Sequence, residues 1–213
     1  MKHFFQKATL AFKSEQTGSL SVEAVFAFPM LFWAATAMFT FFDAYKTQNA
    51  SYRANYTVSD MLSRETEPVD NDYIEGIHKV FRYMTHSGTE DSWLRVSVVT
   101  CNDNCADEAN RELEFEWSHS DDTLEATNPH DLGEDDLDFY GDYIPLMATG
   151  TRLILVETSR TYDPPFNALT SFGEKELVSH VVTRPRFAAN FCWETCTSGS
   201  GSDGDDGDGG GDS

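Results

Sequence analysis

Four cysteines and one glutamate carry the chemistry this sequence offers most plainly. Cys101 and Cys105 bound the segment CNDNC, and Cys192 and Cys196 bound CWETC, so each pair has the spacing C-x3-C. Thiols spaced this way bridge as disulfides in an oxidising compartment or ligate a metal in a reducing one. Four cysteines allow three pairings. Local bridges 101–105 and 192–196 are expected, with a cross-link between the two loops as the alternative. Zinc is the competing chemistry, but zinc knuckles favour C-x2-C and neither loop holds a histidine. The glutamate is Glu23, five residues after Gly18 and directly before 19 consecutive uncharged residues, Ala24 to Phe42. An ionised carboxylate at the centre of a membrane helix costs about 2.5–3.5 kcal/mol, and less near the interface. Glu23 therefore either marks the edge of the apolar span among headgroups or is held there by a cation.

Other reactive groups form no recognisable constellation. G-x-S-x-G, H-E-x-x-H and a phosphate-binding P-loop are all absent from the sequence. His78, His86, His119, His130 and His180 are scattered without metal-ligand spacing, and the many carboxylates read as a solvated acidic surface. No catalytic residue, metal, cofactor or small-molecule substrate is expected. The formal net charge of -21 excludes nucleic acid as a partner, because phosphate binding needs a basic face.

The elements that must position these groups follow from charge and periodicity. Residues 1–18 carry Lys2, Lys7 and Lys13 against Glu15 alone. The apolar run after them spans roughly 28 Å as a helix, close to a bilayer core of roughly 30 Å. It is apolar all round, interrupted only by Thr36 and Thr40, as a lipid-facing helix is. The basic leader predicts a cytoplasmic N-terminus, with the remainder outside. Helical sequence continues to about Arg64, with Tyr45, Tyr52 and Tyr56 on one side and Ala50, Ala54, Val58 and Met61 on the other. A helix over 19–64 would be about 70 Å long. Either one outer face meets a domain and the other stays free, or both stripes dock on the same domain.

Beyond EPVDN, where Asp70 or Asn71 can cap, the pattern predicts a helix from about Asp72 to His86, ended by Ser87-Gly88. SWLRVSVVT (92–100) places Leu94, Val96 and Val98 on one face, and ELEFEWS (112–118) places Leu113, Phe115 and Trp117 on one face. Residues 119–149 are acidic and irregular, with a short helix near 133–140. TRLILVETSRTYD (151–163) and KELVSHVVTRPRF (175–187) are the remaining strands. The fold class is therefore α+β: a long N-terminal helix running on into an amphipathic one, then an antiparallel sheet of about four strands with a covering helix. The expected units are a leader (1–18), the membrane helix and its extension (19–64), an outer domain (65–197) and a Gly/Asp tail (198–213). The tail has no apolar residue to bury and is expected to be disordered. It also lacks the Glu that closes a calcium-binding EF-hand loop.

The stretch GSLSVEAVFAFP, from Gly18 to Pro29, resembles the start of the TadE/TadG-like proteins of the tight-adherence pilus machinery. There, as here, Gly is followed by small residues, Val-Glu, an apolar run with Pro, and a long helix. The resemblance covers about residues 16–64. It implies cleavage after Gly18 by a membrane-embedded prepilin peptidase, leaving Ser19 as a free N-terminus. Glu23 would then pair with the terminal ammonium of a neighbouring subunit, and Pro29 would loosen the helix. It also implies other pilins or pilus assembly proteins as partners, and residence in the inner (plasma) membrane. Ala24 departs from the Glu-Tyr of the short major pilins of these systems, and a large outer domain is present. Both departures favour a minor pseudopilin or assembly factor. A conventional secretory signal ending at Ala35-Thr36-Ala37, or an uncleaved anchor carrying an interaction domain, are the other readings.

Overall fold

A computed structural model describes residues 18–88, 91–121, 131–133, 136–166, 173–187 and 191–196. The expected leader before Gly18 and the Gly/Asp tail lie outside the described residues. Helix α1, Gly18–Arg64, is continuous over 47 residues. Pro29 is its only proline and no glycine follows Gly18, so little within it opposes helix propagation. Pro29 lacks the N–H that would reach the Val25 carbonyl, yet the helix runs through it.

Helix α2, Asn71–Thr85, begins at Asp70, whose carboxylate accepts from the Tyr73 N–H at 2.9 Å. It ends one residue earlier than glycine placement suggests. His86 itself takes the left-handed conformation (φ 55°), and its N–H reaches the Arg82 carbonyl. Histidine is among the few side chains enriched in that region, so the Schellman-like stop does not wait for Gly88.

Among the described residues, four strands form one antiparallel sheet: β1 Ser92–Asp103, β2 Glu112–Ser120, β3 Arg152–Tyr162 and β4 Lys175–Thr183, in the order β2-β1-β3-β4. β4 stops at Thr183, short of the expected Phe187. Pro185 has no N–H to give a ladder and biases Arg184 away from further pairing.

The central strands β1 and β3 are buried along most of their length because the sheet is covered on both faces. On one face, Ala54, Val58 and Leu62 of α1 join Ile74, Ile77 and Phe81 of α2 above Leu94, Val96, Val98, Ile154 and Val156. On the other, Val99, Leu153 and Leu155 lie beneath Leu132, Tyr140 and Ile144. Tyr140 and Ile144 belong to α3, Leu137–Tyr140, and the 3-10 turn Gly141–Tyr143 with its cap. The sheet thus has a second cover beyond the single one expected.

β2 corrects the simple alternation. Its register against β1 slips between Val98 and Val99, so Val98 faces Trp117 while Val99 faces Phe115. The bulge adds one residue and reverses the parity of the pairs from Val99↔Phe115 to Cys101↔Leu113. Trp117 therefore joins the helix-side core, and Leu113 and Phe115 join the opposite one.

Candidate functional site

The residues singled out at the N-terminus lie on the first turns of α1 among the described residues. Gly18 is helical, and Glu23 is exposed five residues or about 7.5 Å further along the axis. From Val25 to Phe32 little of the described protein surrounds the helix. Val25, Phe26, Phe28, Met30, Leu31 and Phe32 are 65–75% exposed. Water does not tolerate an apolar surface of this extent, so it needs lipid or protein around it. Among the described residues this is the one helix long and apolar enough to cross a membrane. The two hydroxyls of its apolar run are satisfied internally: Thr36 Oγ1 donates to the Phe32 carbonyl at 2.7 Å and Thr40 Oγ1 to the Thr36 carbonyl at 3.0 Å.

The C-terminal half of α1 docks on the domain through one face only. Ser51, Ala54, Asn55, Val58, Ser59 and Leu62 are buried, and Asn55 Nδ2 donates to the Ser179 carbonyl of β4 at 2.9 Å. Tyr45, Tyr52 and Tyr56 are 55, 40 and 65% exposed, so the tyrosine stripe faces away from the domain. The buried stripe differs slightly from expectation: Met61 is exposed and Leu62 takes its place, while Ala50 is half-buried.

Both cysteine pairs bridge locally. Cys101 and Cys105 are joined with Cα atoms 5.8 Å apart, and Cys192 and Cys196 with Cα atoms 5.3 Å apart. The first closes the end of β1, where the Gly150 N–H donates to the Cys101 carbonyl at 3.0 Å. The second is fixed to the α1–α2 connection. The Val69 N–H donates to the Cys192 carbonyl at 3.1 Å and the Glu194 N–H donates to the Val69 carbonyl at 2.8 Å. Trp193, inside this bridge, stacks on His119 with ring centroids 3.7 Å apart.

Two buried polar clusters were not anticipated from the sequence. In the first, Arg95 of β1 faces Glu157 of β3: Arg95 Nε donates to Glu157 Oε2 at 2.7 Å. The Tyr140 hydroxyl donates to Glu157 Oε1 at 2.7 Å and accepts from Arg95 Nη2 at 2.7 Å. His180 Nε2 lies 3.1 Å from Glu157 Oε1. This cluster ties the α3 cover to the sheet. A usable signal was present: one charge of each sign inside two otherwise apolar strands, LRVSVV and LILVET.

In the second cluster, His78 of α2 lies between Asp121 and Ser92, with Nδ1 against the Asp121 carboxylate and Nε2 3.2 Å from Ser92 Oγ. The order of hydroxyl, imidazole and carboxylate is that of a hydrolytic triad. All three residues are at most 3% exposed, however, and the cluster sits between α2 and the sheet, where it ties α2 to β1 and to the end of β2. Three groups so distant in sequence leave no local spacing to detect.

Both clusters make stability depend on pH in the same direction. Burial raises the Glu157 carboxyl, but His180, Arg95 and Tyr140 outweigh it and hold the group below the ordinary carboxylate range. Its contribution is present above the unfolded value and is lost as pH falls through the folded one. Burial lowers the His78 imidazole, and Asp121 only partly restores it. The unfolded chain therefore takes up this proton first, and stability falls as pH drops below the ordinary histidine value of 6.5. Urea unfolding of the full chain in detergent should show a lower midpoint at about pH 5 than at about pH 7.5. His78→Asn should flatten that part of the curve. An unchanged slope in the variant would remove His78 as its source.

Comparison of the chain with protein-family models, with curated proteins and with solved structures finds no match.

Proposed function

We propose that this chain is a membrane-anchored, non-enzymatic, pseudopilin-like protein acting in the assembly of a tight-adherence pilus and in surface attachment. The observation that carries the reading is α1. A single helix, described from Gly18 to Arg64, exposes an apolar first half and fastens its second half to an α+β domain by one face. That shape suits a subunit whose helix enters a membrane and whose domain stands outside. Prepilin peptidase would cut after Gly18 on the cytoplasmic side, and Ser19 would become the new terminus. Glu23, exposed on an otherwise apolar helix, is free of its own domain to pair with the ammonium of a neighbour. A charge kept in apolar surroundings needs such a partner. The tyrosine face of α1, turned away from the domain, is available to other pilins or assembly proteins.

The test is mass spectrometry of the N-terminus of the protein taken from native membranes. A mature chain starting at Ser19 is the expected result. A start at Met38 would mean cleavage after Ala37 and a secreted domain. An intact Met1 would mean a plain anchor carrying an interaction domain. Either of the last two outcomes overturns prepilin processing.

A further inference from the structure

We infer that the turn after β3, Tyr162 to Phe166, is a second membrane contact that dips into the outer leaflet beside α1. The inference rests on the membrane anchoring proposed above and adds a place where the outer domain itself meets lipid.

The apolar run of α1 ends at Phe42, and Asp43 is the first charge after it. Most of the run is exposed, but Thr36 and Thr40 are only 7% and 2% exposed. The end of β3 reaches this part of the helix. The Tyr162 hydroxyl is placed to donate to Asp43 Oδ2 at 3.1 Å or to the Thr40 carbonyl at 3.3 Å. The Phe166 ring meets Phe39 edge-on, with centroids 5.8 Å apart.

Phe39 lies four residues before Asp43, about 6 Å deeper along the axis. With Ala24 to Phe42 filling a hydrocarbon core of roughly 30 Å, Phe39 is inside the outer boundary, and Phe166 beside it is at the same depth. Lifting α1 until Phe39 is in water would leave Ala24 to Met38, about 22 Å of helix, to cross the core. The only way to lengthen that span is to draw the Glu23 carboxylate into lipid.

The turn is built for this position. Pro164 and Pro165 bring no N–H groups, which removes two backbone donors that lipid could not satisfy. Phe166 and Phe39 are 39% and 57% exposed and extend the apolar surface of α1 sideways. Tyr162 has the amphipathic character of an interfacial residue, its ring buried and its hydroxyl at the level of Asp43. Asp43 and Asp163 mark the polar side. Their charge favours an electrically neutral headgroup layer over an anionic one. Two contacts, helix and turn, would set the height and tilt of the outer domain over the bilayer, which a single helix leaves free to swivel.

The experiment places 4-fluorophenylalanine at Phe166, Phe28 or Phe139 in separate preparations of the full chain in phosphatidylcholine nanodiscs. Phe28 lies in the N-terminal part of the apolar run and Phe139 is exposed on α3. Fluorine spectra are recorded with a nitroxide-bearing lipid and, separately, with a soluble gadolinium chelate. The expected result is loss of the Phe28 and Phe166 signals with the lipid label, and loss of the Phe139 signal with the chelate. A Phe28 signal lost to lipid beside a Phe166 signal lost to the chelate would overturn the second contact and leave the anchor standing. Loss of both Phe28 and Phe166 to the chelate would overturn the anchor and this inference together.

Discussion

Replacing Glu157 with alanine is expected to destabilise the α+β domain by about 3–5 kcal/mol, the usual result of removing one partner from a buried ion pair. Glu157 is 1% exposed and Arg95 3%, so neither charge can turn to water when the other is lost. The substitution takes the Glu157 carboxylate away from the Arg95 guanidinium and from the Tyr140 hydroxyl that donates to it. Because Tyr140 belongs to the cover over the second sheet face, α3 should loosen along with the loss of stability. Urea unfolding of the full chain in detergent measures the effect. The double variant Arg95→Met with Glu157→Leu supplies the contrast. A buried pair exchanged for apolar groups of similar volume is often neutral or stabilising, so the double variant should recover most of what Glu157→Ala loses. A Glu157→Ala variant within about 1 kcal/mol of the parent would show that the cluster is not closed to water.

A loss of about 3–5 kcal/mol is also expected for Phe81→Ala, for a different reason. Phe81 lies on the inner face of α2, is fully buried, and belongs to the cluster that joins α1, α2 and the sheet. Truncation removes its transfer energy and opens a cavity that three rigid elements cannot close together. Tyr83, two residues on and 81% exposed, is the control, and its alanine variant should stay within about 0.5 kcal/mol. Hydrogen exchange adds a spatial readout: in Phe81→Ala, amides at the C-terminal end of α1 should exchange faster, because Ala54, Val58 and Leu62 depend on the same cluster. Equal losses from Phe81→Ala and Tyr83→Ala would contradict the assigned inner face of α2.

Much of this architecture is written locally. The unbroken apolar run from Ala24 to Phe42 and the lack of helix breakers after Pro29 are enough to predict α1. Asp70 at the entry of α2 and alternation in 92–100 need only neighbouring residues to be read, because caps and side-chain periods are properties of short stretches. What the chain order could not show is which distant groups meet. Arg95 and Glu157 face each other only because β1 and β3 pair in one register, and the alternation of two strands does not state which register they share. Trp117 went to the helix-side core because a bulge added one residue to β2, and one residue is the whole difference between the two faces of a sheet. The local closure of both cysteine loops, one of three pairings the count allows, likewise depended on where the backbone brought the sulfurs. The contact of Phe166 with Phe39 joins residues far apart in the chain, at a point on the helix set by how the domain seats on α1. Helix, strand and cap are decided by spacing along the chain; partner, parity and seating are decided by packing, where the free energy of burial is shared among elements that meet only in the folded protein.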